Sequence, residues 1–182
     1  KKYGFPKAEI NLSEWHYGPA QWGTDGHFGC GEFYRTVSGA FCVSSLIRFL
    51  DTPLSVAYYY SWALGHWGLF DERLKPYPVY HALAFFAEMT ACVNRLAASG
   101  GTDCVDVLAG TAENGKVKML ISCFKSEAVQ FHITVPGTAA CRVRTLADSC
   151  PMDPRELKQA SDGSFVLTFE DGGSAVYLLE LG

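Results

Sequence analysis

The hydrophobic period of this chain changes once, at Gly100–Gly101, and that change restricts the folds open to it more than any other feature. Before it, strand-like and helix-like segments alternate. Ala8 to Trp15 reads as a short strand, and Glu32 to Leu50, EFYRTVSGAFCVSSLIRFL, repeats apolar residues at helical spacing before stopping at Asp51-Thr52-Pro53. Ser55 to Trp62, SVAYYYSW, is β-branched and aromatic, as suits a buried strand. Tyr77 to Leu96 is amphipathic, begins among Pro76 and Pro78, and closes near Ala98-Ser99-Gly100, the pattern of a long helix. Strand, helix, strand, helix in this order predicts two βα units with parallel strands.

After Gly101 the runs are short and alternate with period two: CVDVLAGTA, KVKMLISCF, AVQFHITVP, CRVRTLAD, SFVLTFE and SAVYLLEL. Turn sequences ENGK, PGT, SDGS and EDGGS separate several of them. Six such strands predict an antiparallel sandwich or small barrel. The expected fold class is therefore α/β plus all-β, with one domain over residues 1–100 and a β-sandwich over 101–182. Two parallel strands with two helices make an incomplete sheet with apolar edges. The expectation is that the sandwich, a second copy in a homo-oligomer, or a missing N-terminal portion of a barrel covers them.

The net charge of −4 and the lack of a Lys/Arg run argue against nucleic acid as a partner. No apolar run is long enough to span a bilayer, and HALAFFAEMTACV is broken by Glu88. Seven scattered cysteines without CxxC spacing suit buried free thiols, not a zinc site or disulfide framework. That pattern and the lack of an apolar leader after Lys1–Lys2 favour the cytoplasm, with the compartment left open. Neither a cofactor nor a metal is expected. GHFGCG lacks the strand-to-helix setting of a dinucleotide fingerprint, and no GxSxG occurs.

INLSEWHYGP, then a helix, then LSVAYYYSWALGHWGLFDERLKPYPVYHALAFFAEMT, then a sandwich, resembles the C-terminal end of clan-A glycoside hydrolases, most closely family 39, the β-xylosidase and α-L-iduronidase type. The resemblance runs through Ser13-Glu14-Trp15, Tyr60-Ser61-Trp62, Gly68-Leu69-Phe70-Asp71 and Lys75-Pro76 to Tyr80. It implies the last two βα units of a (β/α)8 TIM barrel followed by an antiparallel β-sandwich.

On that resemblance, Glu14 is the catalytic nucleophile of a retaining glycosidase, at the mouth of a barrel strand. Without the surrounding pattern, a glutamate at a strand end is more often simply solvated. The substrate is a xyloside-like or related glycan, bound by Trp15, His16, Tyr60, Trp62, His66 and Trp67. Trp22 and His27 fall in the same loops, whereas Tyr58 reads as barrel core. The family's acid/base follows strand four in an Asn-Glu pair, and no Asn-Glu dipeptide occurs here. Asp25, Glu32, Asp71 and Glu72 are poor substitutes, the last two reading as helix-capping residues. The 182 residues alone are therefore expected to be inactive. The alternative is a non-catalytic carbohydrate-binding, structural or assembly module, or a truncated, degenerate homologue.

Overall fold

The computed structural model describes residues 8–18, 34–64, 68–100, 102–127, 130–148, 152–168 and 173–182. The two strands expected in the first half form at Ile10–Trp15 (β1) and Leu54–Tyr59 (β2), and they pair in parallel. Helix α1, Thr36–Phe49, lies between them, and α2, Pro78–Glu88, follows. Proline suits the start of α2 because its ring presets φ and no helical bond is owed by its nitrogen there. The remaining strands are Cys92–Leu96 (β3), Val105–Ala112 (β4), Val117–Ser126 (β5), Gln130–Ile133 (β6), Cys141–Leu146 (β7), Arg155–Leu157 (β8), Phe165–Thr168 (β9) and Gly173–Leu181 (β10). They form one antiparallel sheet of order β3-β4-β5-β10-β7-β8 and a smaller antiparallel pair, β6-β9.

β10 shows why the layers stack as they do. Successive strand side chains point to opposite faces. Ala175, Tyr177, Leu179 and Leu181 join Phe165 and Leu167 of β9 in one core. Val176 and Leu178 point the other way and meet Ala40, Val43 and Ile47 of α1 and Ala82 and Phe85 of α2. The helical residues recur at three- and four-residue spacing, so each helix lays one apolar stripe on the sheet. A strand buried on both faces reads as a nearly continuous apolar run, as AVYLLEL does. Each fully buried Leu or Val here contributes about 1.5–3 kcal/mol. Gly39 lets the helices approach: a Cβ there would stand 3.2 Å from Ala82 Cβ.

The structure departs from the sequence expectation in the second half of the last helix and in three short strands. The helix expected to reach Leu96 stops at Glu88, passes through a 3-10 turn at Met89–Ala91, and becomes β3. Thr90 Oγ1 donates to Ala87 O at 2.6 Å, a local bond that competes with helix propagation, and β3 finds backbone partners along β4. The sheet therefore begins on the N-terminal side of Gly100–Gly101. β8 is a three-residue strand without readable alternation, and β6 and β9 leave the main sheet to form the second layer. Cys42, Cys92, Cys104, Cys123 and Cys141 are free thiols; Cys30 and Cys150 lie outside the described residues. Burial pushes Cys123 up to about 12 and Cys141 to about 11, so both stay protonated and serve as packing.

Polar contacts fasten α1 to the sandwich along its length. At its start, Asp148 Oδ1 accepts from Thr36 N at 2.9 Å and from Thr36 Oγ1 at 2.6 Å, while Arg35 Nε donates to Oδ2 at 2.9 Å. Arg35 at the N-cap makes no side-chain cap, so Asp148 satisfies the helix end from 112 residues away. In the middle, the buried Ser122 hydroxyl donates to Ala40 O at 2.7 Å and accepts from Ser44 at 3.1 Å. At the end, Arg48 Nε donates to Asp106 at 2.9 Å. Just beyond, Arg95 of β3 holds Asp51 through two bonds of 2.6 and 2.9 Å.

Burial alone would raise the Asp148 carboxyl, but the bonds from Thr36 and Arg35 outweigh it and hold it below the ordinary carboxylate range. Its stabilising contribution is thus present above the unfolded pKa and lost as pH falls through the lower folded value. Asp148→Ala is expected to cost about 1 kcal/mol, as loss of a helix N-cap does. Urea denaturation at neutral pH should show this difference, and it should close on acidification below the carboxylate range.

Candidate functional site

The C-terminal ends of β1 and β2 lie side by side, joined by a 2.9 Å bond from Tyr60 N to Trp15 O. Trp15 turns inward and is half-buried, edge-on to Phe49 of α1 and to Tyr59 of β2, with both ring centroids 5.2 Å away. Glu14 precedes it in the stretch from Leu12 to Trp15, where the pairing with β2 skips a residue, and it is exposed. On β2, alternation sends Tyr59 inward and Val56, Tyr58 and Tyr60 outward onto an open face, all three exposed. Burial raises the Tyr59 phenol, so it stays neutral and packs without taking part in proton transfer. One exposed carboxylate thus lies near the end of β1, and two exposed tyrosines lie at the end of its neighbour.

His16 is half-buried, its ring 6.3 Å from that of Tyr60. Trp62 is 83% exposed and stands beyond the end of β2, so strict period-two alternation does not carry from Tyr60 to it. The Tyr60–Ser61 peptide bond is cis. His66 and Trp67 lie outside the described residues, as do Trp22, His27, Asp25 and Glu32. The structure therefore brings Glu14, His16 and Tyr60 to one end of the parallel pair and places Trp15 beneath them. Tyr58, read from sequence as core, is 58% exposed on the open face.

Asp71 does not cap a helix as expected. Its Oδ1 accepts from Arg73 N and Lys75 N, both at 2.8 Å, and shapes its own loop. Tyr17 has a role that sequence reasoning did not assign. It is buried, its ring 5.3 Å from Phe41 of α1 and 5.9 Å from Phe124 of β5, with Lys125 Nζ 5.7 Å from its centroid. Tyr17 therefore ties the segment just after Glu14 to the sandwich. Nothing in strand or helix periodicity signals this, because Tyr17 follows the last residue of β1. Among the described residues no group of three His, Cys, Asp or Glu side chains is placed to hold a metal ion, and no helix is long and apolar enough to cross a membrane.

No protein-family model matches the chain, and no curated protein matches it. Solved structures do match. A glycoside hydrolase family 30 subfamily 8 xylanase from Clostridium acetobutylicum is similar over 96% of this chain and 43% of its own, with 14% identity and a TM-score of 0.63. For a glucosidase from Croceicoccus marinus the shares are 99% and 47%, with 18% identity and a TM-score of 0.63. For the family 39 enzyme from Xanthomonas axonopodis pv. citri they are 98% and 45%, with 12% identity and a TM-score of 0.60. The chain spans less than half the length of each. At these identities the likeness is one of fold. Family 39 stands beside families 30 and 44 without being favoured over them.

The two tryptophans of this region should respond differently to truncation. Trp15→Ala removes two ring contacts from a half-buried site and is expected to cost about 2 kcal/mol, less than the 3–5 of a fully buried aromatic. Trp62→Ala alters an exposed side chain and should stay within about 0.5 kcal/mol of the parent. Paired urea titrations measure both.

Proposed function

We propose that the chain is the C-terminal portion of a retaining glycoside hydrolase and that Glu14 is its nucleophile. The observation that carries this reading is an exposed carboxylate at the C-terminal end of a strand, beside a parallel neighbour that ends in exposed aromatics. In barrels of parallel strands, that end is where catalytic groups gather. The fold likeness to xylanases, a glucosidase and a family 39 enzyme supports it. On this reading β1 and β2 are the last two barrel strands, α1 and α2 are their helices, and further barrel strands pack against the open face of Val56 and Tyr58.

The substrate is a glycan of xyloside or related type. A Glu14 carboxylate oxygen attacks the anomeric carbon, forming a glycosyl ester as the bond to the leaving oxygen breaks. A second carboxyl group, about 5 Å from the first, gives its proton to that oxygen and then takes one from the water that releases the sugar. This acid/base comes from polypeptide outside the 182 residues. Tyr60 and Trp62 offer flat apolar faces to the sugar ring. Trp15, packed on Phe49 and Tyr59, fixes the direction of the strand end that carries Glu14.

Two expected outcomes test the reading. The isolated 182 residues should hydrolyse aryl glycosides no faster than their own Glu14→Gln variant, since loss of general acid assistance costs about 10²–10⁴-fold. In the longer protein Glu14→Gln should abolish turnover, and a 2-fluoro glycoside should label Glu14, as read by mass spectrometry of the digested protein. Turnover that survives Glu14→Gln in the longer protein overturns the assignment.

A further inference from the structure

Strand β5 is irregular near its end. Its pairing with β10 passes from Cys123–Ala175 to Ser126–Gly173, three steps along β5 against two along β10. Phe124 and Lys125 together therefore oppose Ser174, which makes this a β-bulge, one extra residue that interrupts the alternation of the strand. Lys125 takes a φ of +51°, in the left-handed region where glycine is the usual choice, and its N–H donates to Ser174 Oγ at 3.0 Å. Holding a lysine in that conformation costs free energy, and the reason lies in where its side chain goes.

Up to the bulge the strand alternates. Ile121 and Cys123 face the sandwich core, while Leu120 and Ser122 face the helices. Continued alternation would turn Lys125 toward the sandwich core. Instead its Nζ lies on the helical side, 5.7 Å from the ring centroid of Tyr17 and 5.8 Å from that of Phe124. Phe124 packs half-buried against the core beneath the two helices. The rings of Tyr17, Phe41 and Phe124 close a triangle, with centroids 5.3, 5.9 and 5.6 Å apart. Tyr17 is thus held by α1, by β5 and by a cation at its ring. It stands three residues after Glu14, so their Cα atoms are at most about 10 Å apart.

We propose that Phe124 and Lys125 are positioning residues for Glu14: the bulge of β5 grips Tyr17 and so fixes the strand end from which the nucleophile projects. The sandwich then contributes to turnover without touching the sugar. The inference deepens the reading of Glu14 as nucleophile and rests on it. A carboxylate oxygen that attacks an anomeric carbon must first stand about 3–3.5 Å from it and in line, and a misplacement of about 1 Å can lower the rate by about 100-fold. On one side Glu14 is held by the pairing of β1 with β2, which ends at Trp15. On the other side the chain is held by the grip on Tyr17. A bulge that re-aims side chains beside a working site is a recurrent use of this irregularity.

Two substitutions in the longer protein separate positioning from packing. Lys125→Gly puts the residue favoured at positive φ into the bulge and removes the cation from Tyr17. Relief at the bulge offsets the greater freedom of glycine in the unfolded chain, so the melting temperature should hold. Its kcat should fall by about threefold at unchanged KM, and Lys125→Arg, which keeps a cation over the ring, should restore it. Phe124→Leu should lower kcat on the order of tenfold at unchanged KM, and Phe124→Tyr should restore it. The rate at which a 2-fluoro glycoside labels Glu14 should fall in the same proportion, because it reads the attack itself. Folded Lys125→Gly and Phe124→Leu proteins with the parent's kcat and labelling rate overturn the inference and leave the nucleophile assignment standing. A raised KM at unchanged kcat also overturns it, because that pattern belongs to residues that hold substrate. Turnover that survives Glu14→Gln overturns both.

Discussion

The arrangement depends on a sheet that is apolar on both faces. β10 sits near its centre, with β5 on one side and β7 on the other. Its odd-numbered residues face the small β6-β9 layer and its even-numbered ones face two helices. Had β10 been amphipathic, the helices would have no surface on which to bury their stripes of Ala40, Val43 and Ile47 and of Ala82 and Phe85. The parallel pair β1-β2 would then have nothing beneath it. One strand's composition thus determines both the sandwich and the placement of the helical layer.

The candidate site takes its geometry from this stack through aromatic contacts. Phe49 at the end of α1 supports Trp15, Trp15 is flanked by Tyr59, and Tyr17 reaches Phe41 and Phe124. Edge-on ring pairs favour one relative orientation, so they fix direction as well as position. Glu14 itself is exposed, and its direction is set by the residues either side of it. Further round the sheet, Glu88 at the end of α2 meets Arg144 of β7, whose guanidinium lies 5.1 Å over Phe85, and Lys118 of β5 at 3.8 Å. That cluster fixes α2 as Asp148 fixes α1.

Much of this was legible from the residues alone. Period 3.6 is clear in VSGAFCVSSLIRF because α1 buries one stripe, and SAVYLLEL reads as a strand because its short apolar run is buried on both faces. The reading failed where tertiary pairing overrode local preference. Cys92–Leu96 continues a helical pattern, yet β4 offers it a ladder, and Thr90 breaks the helix just before it. Three-residue β8 carries no period to read. That β6 pairs with β9 and not with its sequence neighbours is a long-range choice that leaves no local mark. At the site, Tyr58 was read as core although it shares the parity of Tyr60 and is exposed, and alternation could not follow the chain beyond the end of β2 to Trp62. The inward turn of Trp15 depends on Phe49, which lies 34 positions later in sequence.

The long reach of Asp148 has a consequence for the order of synthesis. Helix α1 leaves the ribosome well before the carboxylate that closes its first turn, and before the strands on which it lies. At about 5–20 residues per second, the interval before β10 is complete is on the order of ten seconds. During that time α1 has neither its cap nor its floor, and a helix of its length is marginal alone in water. The strand end bearing Glu14 therefore takes its final shape only after β10 has emerged. Translation that stops short of β10 leaves a nascent chain with apolar helical stripes exposed, a state for chaperones to hold and proteases to find.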